Sequence, residues 1–147
     1  MSLDRTDAMD TVRRHLTAFV DNLAFAERLL SDGGPVSLRW AVTAAFYAAL
    51  HMIRAYCAAK NVRISTHVEG EHFFKDHPEV GRVRTTYKAL KELSESARYF
   101  HQSMQVQQVE QALRKVADVE SLVMGKLAKY APSAPSILAE LRGSPQT

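Results

Sequence analysis

Five polar side chains, Arg39, Thr43, Tyr47, His51 and Arg54, recur at steps of four, four, four and three in an otherwise apolar segment. At about 100° per residue in a helix they share an arc of about 120°. A second group closes the run Ser94-Glu95-Ser96-Ala97-Arg98-Tyr99-Phe100-His101. There Arg98 and His101 stand three residues apart and can act together on a helix surface. A guanidinium beside an imidazole suits phosphate: arginine grips the anion, and histidine can move a proton near neutral pH. A polar stripe on so apolar a helix is expected to face a partner, a cleft or a dimer interface, because buried unpaired cations are costly.

The same residues admit a structural role. Arg54 and Arg98 can pair with Glu92, Glu95 or helix-end carbonyls, while Tyr47 and His51 can be satisfied core groups. A third cluster, His67, Glu69, Glu71, His72 and His77, contains one Glu-x-x-His spacing, Glu69 to His72. Carboxylate-bridged di-iron bundles need two such pairs and two further glutamates. The second pair is missing, so neither a metal site nor any cofactor is expected. Arg82, Arg84, Lys88 and Lys91 fall on two flanks of one predicted helix, which reads as a solvated face or a modest attraction for polyanions. Glycine-rich phosphate loops, a Gly-x-Ser-x-Gly elbow and zinc-ribbon cysteines do not occur.

Helices must position these groups. Only six glycines and five prolines occur in 147 residues, clustered between periodic segments, which argues for few, long helices. The first is expected over about Asp7 to Leu30, with Met9, Val12, Leu16, Phe19, Leu23, Ala26 and Leu30 at three- and four-residue steps. Gly33, Gly34 and Pro35 stop it, and Ser37 is expected to cap a second helix reaching Ala59. That helix is apolar almost all round, through Trp40, Ala41, Val42, Phe46, Leu50, Met52, Ile53, Tyr56 and Cys57. A short helix is expected from about His67 to Lys75. Asp76 and Glu79 then have capping-box spacing for a helix running through Val83, Tyr87, Leu90, Leu93 and Ala97 to about Phe100. A last long helix covers about Met104 to Tyr130, with Val106, Val109, Leu113, Val116, Val123 and Leu127 as apolar positions. No strand pattern appears. The expected fold is all-α, an antiparallel up-and-down bundle of four to five helices with a short extra helix. Residues 1–130 form one domain on this reading. Residues 131–147 form a Pro/Ser/Ala-rich mobile tail, in which Ile137 to Leu141 docks as a single turn.

The 46% hydrophobic and 24% charged fractions suit a soluble globular chain, and a formal net charge of +3 permits nucleic acid without requiring it. Cys57 is the single cysteine, so no internal disulfide can form, and no signal-peptide pattern opens the sequence; a cytoplasmic location is expected. The longest charge-free apolar run, Trp40 to Ile53, is 14 residues, short of the roughly 18 a membrane span needs.

Phe46-Tyr47-Ala48-Ala49-Leu50-His51-Met52-Ile53-Arg54, followed by Leu93-Ser94-Glu95-Ser96-Ala97-Arg98-Tyr99, resembles the HEPN superfamily. Its members carry a Tyr-Ala-x-Phe/Leu-His-x-x-Arg-like run in a central helix. A connector histidine often follows, where this chain has Thr66-His67, and then a helix ending in Arg-Tyr or Asp-Tyr. The similarity spans about Leu16 to Leu127. It implies a helical bundle that commonly dimerises and associates with nucleotides or RNA. Many relatives are metal-independent ribonucleases; several are toxins or partners of small nucleotidyltransferases. The ribonuclease members share an arginine, four to six residues, then a histidine. This chain departs from that pattern: two residues separate Arg98 from His101, and three separate Arg63 from His67. Arg98-Tyr99 is instead similar to the non-nuclease branch, where that position serves binding or assembly.

Two readings follow. The first is a dimeric binding and assembly module presenting Tyr47, His51, Arg54, His67, Arg98 and Tyr99 to a nucleotide, RNA or a protein such as a nucleotidyltransferase. The second is a toxin-like, metal-independent endoribonuclease in which His101 deprotonates the ribose 2′-hydroxyl and Arg98 stabilises the phosphorane. Neither involves sequence-specific reading of DNA.

Overall fold

The computed structural model describes residues 5–61, 73–100 and 102–143, whose regular secondary structure is helical with no strand among them. Helix α1 spans Arg5–Asp32 and buries Val12, Leu16, Phe19 and Ala26, a three- and four-residue register. Gly33 ends it. Its backbone adopts φ +74°, a left-handed conformation that favours glycine, and its N–H donates to the Leu29 carbonyl at 3.1 Å.

Helix α2 spans Pro35–Ala59. Its cap stands three residues earlier than the expected Ser37. Gly34 occupies the cap position without a side chain, and Pro35 enters the first turn with a φ already suited to a helix. The Ser37 hydroxyl instead donates across the turn to the Asp32 carboxylate at 2.5 Å. By length and hydropathy α2 is sufficient to cross a membrane despite its charges, but 67% of its most apolar stretch is buried inside the fold. Its apolar character is used in packing: α2 lies against α1 and against the two long helices that follow.

Of the short helix expected over His67–Lys75, only 73–75 falls within the described residues, and 73–76 is helical. The Asp76–Glu79 capping box does not open the next long helix. Pro78–Val80 forms a separate 3-10 turn, and helix α3 begins at Val83 and runs to Tyr99. Its buried positions, Val83, Tyr87, Leu90, Ser94 and Ala97, again step by four and three. Helix α4, Val106–Tyr130, opens with a reciprocal capping box between Gln105 and Gln108. It buries Val109, Ala112, Val116, Val119, Val123 and Leu127; Val106, expected inward, is 44% exposed at the first turn.

Beyond Tyr130, where a mobile tail with one docked turn was expected, the chain forms helix α5, Ala134–Leu141. Ala134, Ile137 and Leu138 are buried, and α5 packs on α1 and α4. Arg142 fixes its end. The guanidinium donates two hydrogen bonds to the Glu120 carboxylate and covers the Phe19 ring at 5.6 Å. The Pro/Ser-rich composition hides three apolar contacts at helical spacing, enough to dock two turns.

Candidate functional site

The polar stripe of α2 is divided between two neighbours. Its first half faces α3. Thr43 is buried and returns its hydroxyl to the Arg39 carbonyl at 3.4 Å. Tyr47 is half-buried, and its hydroxyl accepts from Arg98 Nη1 at 3.1 Å. Arg98 also donates to the Tyr99 hydroxyl at 3.4 Å and the Ser94 carbonyl at 3.4 Å. Its guanidinium lies 4.9 Å from the Tyr99 ring centroid and 5.6 Å from that of Tyr47. No carboxylate of the described residues pairs with Arg98, so the expected alternatives, Glu92 and Glu95, do not neutralise it. Tyr47, Arg98 and Tyr99 are thus brought together, and Arg39, Trp40, Thr43, Ala97, Arg98 and Tyr99 line an open groove of about 300 Å³.

Trp40 was expected among the apolar residues of a core helix. It is 52% exposed on the groove, because it lies in the second turn of α2, where no helix among the described residues covers that side. Tyr99 and Phe100, at the end of α3, are 65% and 76% exposed. Neither Trp40 nor Phe100 was singled out from sequence. Angle on a helical wheel cannot reveal which part of a face its neighbours leave open.

The second half of the stripe faces α1. His51 Nδ1 lies 3.0 Å from His15 Nδ1, with ring centroids 5.3 Å apart. His15 was not anticipated as a partner. Its signal was present in the register, since it falls three residues after Val12 and four before Phe19, at the margin of the buried face of α1. Burial, reinforced by His51, Arg54 and Arg14, lowers the His15 pKa to about 4. Burial and the Arg54 charge lower that of His51. At neutral pH both rings are therefore uncharged, and one Nδ1–H donates to the other ring's lone pair. Arg54 completes this end, and its buried Nε has no hydrogen-bond partner among the described residues.

His101 lies outside the described residues, as do Arg63, His67, Glu69, Glu71 and His72. Among the described residues no cluster of three or more side chains could hold a metal ion. Cys57 is buried, and burial raises its thiol pKa to about 12, which suits packing rather than reactivity.

A polar tie at the other end of α2 had no counterpart in the sequence reading. Tyr56 donates its hydroxyl to Glu79 Oε1 at 2.7 Å, and Lys60 Nζ donates to the same oxygen at 2.8 Å. His77 Nδ1 is 2.9 Å from Lys60 Nζ, and its ring stacks on Phe73 at 4.2 Å. The Lys60 and Tyr56 hydrogen bonds hold the Glu79 carboxyl down at about 2. This tie pins the 3-10 turn to α2 and so sets where α3 begins. Glu79→Ala is expected to lower stability by about 1 kcal/mol, read as a lower thermal midpoint at pH 7.

The HEPN domain family model matches residues 16–127. The chain belongs to the HEPN domain family. The matched span takes in Tyr47, His51, Arg54, Arg98 and Tyr99, and it leaves out α5. Neither the curated proteins nor the solved structures contain a match to this chain. HEPN membership connects the fold with nucleotide- or RNA-related modules and ribonucleases.

Proposed function

We propose that this HEPN chain is a binding and assembly module that uses the α2–α3 groove to engage RNA or a nucleotide. One observation carries the reading: the Arg98 charge is held between Tyr47 and Tyr99 on an open wall, without a carboxylate partner among the described residues. An oriented, uncompensated guanidinium is suited to a phosphate, which it can grip with paired N–H donors. His51 and Arg54, further along the same stripe, add donors, and His67 belongs to the proposal through the family resemblance.

On this reading the helices form an antiparallel up-and-down bundle. The protein acts as a cytoplasmic homodimer, with a nucleotidyltransferase-type protein as a further partner. The spacing of Arg98 and His101 disfavours the toxin-like ribonuclease, and the two readings separate in one experiment. Wild type and Arg98→Ala are incubated with a labelled structured RNA in chelator, with oligomeric state measured by light scattering on the same samples. The expected result is intact RNA, a dimeric mass and binding weakened at least about tenfold by Arg98→Ala. Cleavage in chelator that Arg98→Ala and His101→Ala each abolish assigns the ribonuclease instead. A monomer that binds neither RNA nor nucleotide overturns both.

A further inference from the structure

The groove has a composition that a bare phosphate does not need. Two of its lining side chains, Trp40 and Tyr99, are large aromatics left half or more exposed, and Phe100 follows immediately. Two others, Arg39 and Arg98, are cations, and none of its described lining residues is a carboxylate. The Arg98 guanidinium already lies over the Tyr99 ring, so aromatic and cationic recognition are combined at one point.

We infer that this groove is a base-stacking site for single-stranded RNA, with Trp40 and Tyr99 receiving an unpaired base and Arg98 and Arg39 taking the adjoining phosphates. The inference rests on the RNA-binding reading above and narrows it to unpaired strands. Three considerations select this occupant. A groove of about 300 Å³ is at the small end of ligand sites, a size suited to a base with its sugar. Exposed aromatics interleaved with arginines are the recurring platform for unpaired nucleotides, because every base offers a π-face and every linkage a charge. A second copy docked here about a twofold axis would bring the Arg98 side of the groove against itself, with no acid among the described lining residues to compensate. Base-paired RNA is excluded by the same geometry, since its bases are already stacked and their faces closed.

The test uses fluorescence anisotropy with a labelled oligo(A) 12-mer, single-stranded or annealed to its complement, in chelator at low salt. The proteins are wild type, Trp40→Ala, Trp40→Phe, Tyr99→Ala and, as a control on an exposed apolar residue of α4 outside the groove, Leu122→Ala. Wild type is expected to prefer the single strand. Trp40→Ala and Tyr99→Ala should each weaken that binding about 5- to 100-fold, Trp40→Phe should restore most of it, and Leu122→Ala should leave it unchanged. Circular dichroism checks that each variant is folded. Equal affinity for single strand and duplex overturns the inference, as does unchanged binding by Trp40→Ala and Tyr99→Ala. If those variants instead lose self-association at constant RNA affinity, the groove belongs to a second copy. The two levels fail differently. Binding that falls with Arg98→Ala but survives Trp40→Ala ends the stacking site alone, whereas absence of RNA binding by wild type ends the parent reading.

Discussion

Replacing Phe46 by alanine is expected to remove about 3–5 kcal/mol of stability, the largest loss of any change considered for this chain. Phe46 is completely buried in the middle of α2. Its ring lies 5.6 Å from Tyr87 on α3 and 5.3 Å from Tyr47 beside it. The cost has two parts, the lost burial of an aromatic ring and the cavity left behind. The cavity term should be large here. α2 is gripped by three long helices, so the backbone cannot move inward at one position without opening another contact. A domain of this size is ordinarily stable by about 5–15 kcal/mol, so this single truncation consumes a large share. Urea unfolding followed by circular dichroism should show a clear fall in the midpoint, with Phe46→Leu intermediate. The same substitution reaches the groove, because Phe46 backs the ring of Tyr47, whose hydroxyl receives Arg98. An unaltered midpoint would show that the centre of α2 is not the packing centre of the fold.

The second large effect is acid sensitivity from the pair of histidines joining α1 to α2. In the unfolded chain His15 titrates near its ordinary 6.5, whereas in the fold it titrates at about 4. Between those values the unfolded state carries a proton that the folded state refuses, so stability rises with pH across this window and is lost as pH falls from about 6.5 to about 4. Taken at face value the displacement corresponds to about 3 kcal/mol; because the ring is only half-buried, solvent screening reduces this to about 1–2 kcal/mol. His51, also lowered, adds in the same direction. The charged groups bearing on the pair are Arg14 on α1 and Arg54 on α2, and both oppose a further positive charge. Glu79 does not confuse the measurement, since its own loss of stability falls lower, between its ordinary 4.5 and about 2. Urea midpoints at pH 7, 5.5 and 4.5 should therefore decline in wild type, and the His15→Leu, His51→Leu double variant should decline less. Parallel slopes would show that the rings are solvated in the native protein.

Much of the fold was legible because apolar periodicity directly encodes which side of a helix is dry. The registers of α1, α3 and α4 follow from Val12, Leu16 and Phe19, from Val83, Tyr87 and Leu90, and from Val109, Val116 and Val123. Features that depend on meeting a neighbour were not legible. The register places His15 at the margin of the buried face of α1, but its partner is set only when α1 and α2 are laid together and it stands 3.0 Å from His51. Glu79 looks like half of a capping box, because the Tyr56 and Lys60 donors that claim it are about twenty residues away. Trp40 looks like core because hydrophobicity alone does not say where a covering helix stops. α5 was underestimated because prolines and serines mask three well-spaced apolar contacts. The stripe itself was found from angles, but its division between α1 and α3 is a property of the assembled helices.

Trp40 is the chain's only tryptophan, and it sits on the groove rather than in the interior. With about half of its surface open to solvent in the fold, its indole is expected to emit as a partly wet fluorophore, so that global melting shifts its wavelength less than it would for a buried tryptophan. The tryptophan signal of this molecule is therefore local to one mouth on its surface: it reports less on denaturation than on whatever enters there.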